Sequence, residues 1–138
     1  MLDCLIIGDS IAVGTAAYRR DCSSIAKVGI TSEQFNSRYR VIDPAKVTVI
    51  SLGNNDGEAR TTKMTLETLR VRLGGGNRTF ILVVPYGPAG QIVRDIAEKY
   101  GDGAIERPAN KLEWDNIHPT AAGYQEIAKK FVVLPDEE

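Results

Sequence analysis

Cys4-Leu5-Ile6-Ile7-Gly8-Asp9-Ser10 decides the reading: four apolar residues run unbroken into a glycine, a carboxylate and a hydroxyl. A short continuous apolar run that stops at a turn signal fits a strand buried on both faces. Residues 11–19, which follow at once, read as an imperfect helix. Working outward, the same unit recurs. Further β-rich runs lie at residues 24–28, 47–52, 79–84 and, more weakly, 104–107. Between them Leu66, Leu69 and Leu73 recur at helical spacing, as do Ile92, Val93, Ile96, Ala97 and Tyr100, and then Tyr124, Ile127, Ala128 and Phe131. Residues 32–42 form a less regular helix. Strands alternating with helices predict an α/β fold, a three-layer α/β/α sandwich around a flavodoxin-like five-stranded parallel sheet of order 2-1-3-4-5.

The chain of 138 residues fits one domain spanning residues 1–138, with no repeat, linker or low-complexity stretch to divide it. Apolar residues make up 43% and charged residues 25%, and the net charge is −1, which offers no basic field for nucleic acid or an anionic membrane. No apolar run approaches the roughly 20 residues of a membrane span, and no basic segment precedes the first apolar run, so the default expectation is a cytoplasmic chain without signal peptide. Two cysteines are too few for a disulfide framework. Cys4 reads as a small buried hydrophobe; a bond to Cys22, just before the second strand, is the lesser alternative, open to thiol counting. The Gly74-Gly75-Gly76-Asn77 stretch reads as a turn, since no Lys-Ser/Thr follows it and a strand comes next. The acidic tail, residues 135–138, reads as a solvated terminus.

In open α/β sheets ligands bind beyond the carboxyl ends of the strands, at the point where strand order reverses. On that edge the first strand ends in Gly8-Asp9-Ser10, the second is followed by Gly29, Thr31 and Ser32, and the third by Gly53-Asn54-Asn55-Asp56. Ser10 then faces Asn55 across the crevice. The single histidine, His118, lies in Trp114-Asp115-Asn116-Ile117-His118-Pro119, ahead of the last helix, from where its loop overhangs the same crevice. Each piece alone has an ordinary structural explanation. Gly-Asp-Ser and Gly-Asn-Asn-Asp supply turn and capping chemistry, and a histidine before Pro119 serves as a helix cap. Independent turns have no reason, however, to gather a hydroxyl, an amide, a small-residue backbone and an Asp-x-x-His on one crevice.

These four segments, in this order, resemble the blocks of the SGNH (GDSL-like) hydrolases: Gly8-Asp9-Ser10, Gly29, Gly53-Asn54-Asn55-Asp56, and Asp115 to His118. The resemblance spans positions 8 to 118, with Ile11 in place of the leucine that often follows Gly-Asp-Ser. It implies a serine esterase with Ser10 as nucleophile, His118 as general base and Asp115 orienting it. The oxyanion donors it implies are the backbone N–H groups of Ser10 and Gly29 and the side-chain amide of Asn55. Asp9 and Asp56 read as residues that fix turns. Neither a cofactor nor a metal is expected, because one histidine and scattered carboxylates give no zinc-like spacing.

Residues 85–88 end on the same edge, and Tyr86 reads either as a substrate-contacting wall or as a half-buried rim residue. Trp114 reads mainly as packing, with shielding of the dyad or stacking on a sugar as alternatives. The compact loops suit a small acyl ester, acetyl above all, carried on a carbohydrate. A thioesterase or lysophospholipase-like acyl hydrolase is the alternative within the same chemistry. A non-catalytic binding or structural module of a phage or surface assembly is the alternative outside it. Oligomeric state is not legible from the chain.

Overall fold

The computed structural model describes residues 1–108, 111–113, 115 and 118–133. Strands β1 (Leu2–Gly8), β2 (Ser23–Ala26), β3 (Ala45–Ser51), β4 (Thr79–Val84) and β5 (Gly103–Glu106) alternate with helices α1 (Ser10–Ala16), α2 (Ser32–Arg38), α3 (Ala59–Leu73), α4 (Pro88–Tyr100) and α5 (Ala121–Ala128). The strands pair in parallel in the order β2-β1-β3-β4-β5, as the alternation of runs and stripes predicts.

Successive side chains on a strand point to opposite faces, so a doubly buried sheet sorts its apolar residues by parity. Leu5 and Ile7 of β1 join Ile50, Phe80 and Leu82 beneath Phe35, Leu66, Leu69 and Val93, which places α2, α3 and α4 on one face. Cys4 and Ile6 join Val47, Val49, Val83 and Ile105 beneath Ile11, Ile127 and Phe131, which places α1 and α5 on the other. On this second face α1 and α5 meet closely. A β-carbon on Gly14 would lie 2.3 Å from Cε1 of Tyr124.

Two helices and one strand stop earlier than their patterns suggest. Helix α1 ends at Ala16 and α2 at Arg38. Beyond α2, the Arg72 guanidinium takes the carbonyls of Tyr39 (3.0 Å) and Arg40 (2.7 Å), fixing the chain where a longer helix would have continued. Strand β2 gives way after Ala26 to a turn in which the Ile30 N–H donates to the Lys27 carbonyl (3.3 Å).

Cys4 and Cys22 are joined in a disulfide with a Cα–Cα separation of 4.5 Å. This corrects the reading of Cys4 as a buried thiol. The register pairs Leu5 with Ser23, so the two cysteines stand side by side one position earlier on neighbouring strands, and no chain distortion is needed to join them. By the chain-entropy account, closing a loop of this length stabilises the fold by about 3 kcal/mol. A second tie is the bidentate pair of Arg70 with Asp102 (2.6 and 2.9 Å), whose guanidinium also lies over the Phe80 ring and links α3 to the turn after α4.

Candidate active site

Gly8 sets the site's geometry. Its φ is +137°, and a β-carbon would lie 1.9 Å from the Ser51 carbonyl oxygen, so only glycine permits β1 and β3 to end this close together. The Asp9 N–H then donates to that carbonyl (2.9 Å), and Ser10 becomes the first residue of α1.

Asp9 is fully buried and does more than fix a turn. Its Oδ1 accepts from the Ile11 N–H, capping α1, and from the Ser51 hydroxyl, each at 3.0 Å. Its Oδ2 accepts from the Asn54 amide at 2.7 Å. One carboxyl therefore joins the Ser10 turn to the end of β3 and to the residue beside Asn55. Burial raises its pKa above the ordinary 3.8, against the opposing pull of the Asn54, Ser51 and Ile11 hydrogen bonds and of the Arg107 charge.

The second strand's turn, residues 27–30, holds Gly29 at φ +81°, in the positive-φ region that favours glycine. No described residue accepts from the Gly29 N–H, and the space that a β-carbon would fill is open. The Asn55 Nδ2 donates to the Ile30 carbonyl at 3.1 Å, so the amide is anchored to the backbone next to Gly29 with its second N–H to spare. Asp56 locks this loop from below. It accepts from the Ser32 N–H (2.8 Å), the Ser32 hydroxyl (2.6 Å) and the Thr62 hydroxyl (2.7 Å), joining the β3 loop to α2 and α3.

His118 arrives from the far end of the chain. Its Nε2 lies 3.2 Å from the Ser10 Oγ, and its Nδ1 lies 2.8 Å from Oδ2 of Asp115. A carboxylate only accepts, so the ring proton sits on Nδ1 and leaves Nε2 as acceptor for the serine hydroxyl. The Asp115 Oδ1 also takes the His118 N–H (3.0 Å). The supporting loop closes on itself: Glu113 N–H donates to the His118 carbonyl and Thr120 N–H to the Lys111 carbonyl, each at 2.8 Å, around a bridge between Leu112 and Pro119. Thr120, not His118, caps α5, its hydroxyl accepting from the Gly123 N–H at 3.2 Å. The helix-cap explanation of the histidine therefore fails, because the first helical residue is Ala121.

Tyr86 follows β4 on the same edge and is 38% exposed, with the Arg107 guanidinium 3.6 Å from its ring centre. Arg107, itself buried, escaped the sequence reading. Its one signal is that a cation follows the last strand directly on the ligand-binding edge. Desolvation lowers the Arg107 pKa, while the charges of Tyr86, Asp9 and Tyr124 oppose that shift. Burial likewise raises the Tyr124 pKa. Trp114 and the acidic tail lie outside the described residues.

Among the described residues no group of histidines, cysteines and carboxylates is placed to hold a metal, and no helix is long and apolar enough to cross a membrane. No protein-family model and no curated protein matches the sequence. Solved structures do match. TesA superposes with a TM-score of 0.71 at 17% identity, covering 91% of this chain and 93% of its own. The C-terminal catalytic domain of the peptidoglycan O-acetyltransferase OatA from Streptococcus pneumoniae gives 0.56 at 19% identity, over 91% of this chain and 88% of that domain. The acetyl xylan esterase Est2A from Butyrivibrio proteoclasticus gives 0.58 at 14% identity, with 92% of this chain matching 61% of that one. In the parallel order of its five strands and the helices that flank them, the chain thus has the α/β fold of these solved structures.

Proposed function

We propose that this protein is a serine hydrolase of small carboxylic esters, with Ser10 as nucleophile, His118 as general base and acid, and Asp115 as the residue that orients the imidazole. The observation that carries the reading is the relay from Ser10 Oγ to His118 Nε2 (3.2 Å) and from His118 Nδ1 to Asp115 (2.8 Å), assembled across 108 residues of sequence. A serine hydroxyl is a poor nucleophile unless a positioned base takes its proton during attack.

As Ser10 Oγ bonds to the ester carbonyl carbon, its proton passes to Nε2 and the carbonyl electron pair moves onto oxygen. The Ser10 and Gly29 N–H groups and the Asn55 amide are the donors for that oxyanion. Collapse expels the alcohol, which takes the proton from Nε2. Water then attacks the acyl-Ser10 ester, giving its proton to Nε2, and the departing Oγ recovers it. Asp115 stays ionised throughout and stabilises the transient imidazolium.

Acetyl esters of carbohydrate are the substrates this reading favours. Support comes from the names of two proteins of like fold, a peptidoglycan O-acetyltransferase and an acetyl xylan esterase. The Cys4–Cys22 disulfide favours work in an oxidising compartment over the cytoplasmic default. The test is p-nitrophenyl acetate hydrolysis together with labelling by a fluorophosphonate. Turnover that vanishes in Ser10→Ala, with the label mapped to Ser10, supports the reading; full turnover in Ser10→Ala, or no label, overturns it.

A further inference from the structure

The turn that carries Gly29 also forms one wall of a cavity of about 540 Å³ that the proposed chemistry leaves unused. Lys27, Gly29 and Ile30 line it on the sheet side, and Glu33, Ser37 and Arg38 of α2 line it on the other. It adjoins the proposed oxyanion donors, since Gly29 and Ile30 both line it and the Asn55 amide is bonded to the Ile30 carbonyl. Its volume lies within the range of small-molecule sites, and an acetyl group alone leaves most of it empty.

The charges around it are uneven. Two cations, Lys27 and Arg38, face one carboxylate, Glu33, on a chain whose overall charge is −1. Neither the Lys27 ammonium nor the Arg38 guanidinium forms an ion pair with a described residue; Arg38 only lies over the neighbouring Tyr39 ring, 5.7 Å from its centre. An arginine fork beside a lysine is suited to a carboxylate, which accepts two parallel hydrogen bonds from the one and a point charge from the other. Ser37 adds a hydroxyl on the same helix face.

We propose that this cavity is a subsite for a carboxylate carried by the ester substrate, held by Arg38 and Lys27 while the ester carbonyl lies at the Gly29 N–H. The inference rests on the esterase reading and narrows its substrate class to acidic esters. The carboxylate belongs either to the acyl group or to the alcohol, and the two sources are separable by experiment.

In one arm kcat/KM is measured for the p-nitrophenyl half-ester of glutaric acid against p-nitrophenyl valerate. In the other it is measured for an O-acetylated methyl glucuronoside against the O-acetylated methyl glucoside. At low ionic strength the acidic member of one pair is expected to be favoured about fivefold, with the preference falling toward unity in added salt because both cations are exposed. A preference in the first pair places the carboxylate in the acyl group, and one in the second pair places it in the alcohol. The same ratio, being internal to each enzyme, is read in Lys27→Gln/Arg38→Gln, where it is expected to collapse. Equal rates within both pairs, or a preference that survives the double substitution, overturn the subsite while p-nitrophenyl acetate turnover leaves the esterase reading standing. Absence of that turnover together with absence of fluorophosphonate labelling overturns both.

Discussion

The nucleophile side of the crevice and the base side are built in opposite ways. Ser10 and Asn55 stand on turns that are bonded to one another over long stretches of chain: Asp9 reaches Ser51 and Asn54, Asn55 reaches Ile30, and Asp56 reaches Ser32. His118 stands on a loop that closes mainly on itself, through Asp115, Glu113, Lys111 and Thr120. The contrast extends to solvent, for the Asp9 carboxyl is wholly buried whereas the Asp115 side chain is 30% exposed. A web bonded over long range fixes several groups at once, so damage to one member spreads to the others. A self-closed loop orients its own residue and depends on packing to bring it to the serine.

The comparison breaks or sharpens under substitution. Removing either reacting group, by Ser10→Ala or His118→Ala, is expected to lower kcat by about 10⁴-fold or more, and the double change is expected to cost little beyond either single one because the pair acts as a unit. Steady-state rates on p-nitrophenyl acetate measure this.

Asn55→Ala removes one oxyanion donor and is expected to cost about 100- to 1000-fold in kcat. Asp9→Asn replaces an acceptor by a donor opposite Asn54 and is expected to cost about tenfold, acting through Asn54 on Asn55 as a positioning effect. If the nucleophile side is one web, Asp9→Asn and Asn55→Ala combine to less than the product of their separate losses. Asp9→Asn and Asp115→Asn, on opposite sides, multiply. A double-mutant cycle that finds both pairs equally independent removes the distinction.

The buried Asp9 also leaves a signature in stability against pH. Its folded-state pKa is raised, so between 3.8 and that higher value the folded protein keeps a proton that the unfolded chain has lost. Its contribution is therefore fully present below 3.8 and declines as pH rises through that window. Denaturant midpoints of the parent and of Asp9→Asn, compared pH by pH, are expected to shift in favour of the substituted protein across the same window. A difference that is flat with pH contradicts the assignment.

The smallest expected effect is on the base side. Thr120→Val removes a cap hydroxyl and is expected to cost about 1 kcal/mol of stability, read by denaturant titration, because the Thr120 N–H closure of the loop remains.

What the chain discloses by itself follows the same division. The five strands and their order are legible because double burial leaves continuous apolar runs, as at residues 4–7; the serine and the amide are legible as candidates because each follows a strand on one edge, and the histidine because it is the single one in the sequence and precedes the last helix. The disulfide is not, since spacing alone cannot show that Cys22 stands opposite Cys4. Nor are the partners of Asp9. Gly-Asp-Ser advertises a turn, but that its carboxyl also gathers Ser51 and Asn54 depends on how closely β1 and β3 end. The Lys27–Arg38 cavity is hidden for a similar reason, being formed between a turn and one face of a seven-residue helix that carry no periodic pattern.

The contact of Gly14 with the Tyr124 ring gives that glycine the role of a spacer gauge. Helix α1 begins at the nucleophile and α5 begins just after the base, so the distance at which the two helices cross helps set how far apart oxygen and nitrogen come to rest. Any side chain added at position 14, which touches neither reacting atom, has to turn the Tyr124 ring or push the helices apart, and the second response would open the gap across which the proton travels.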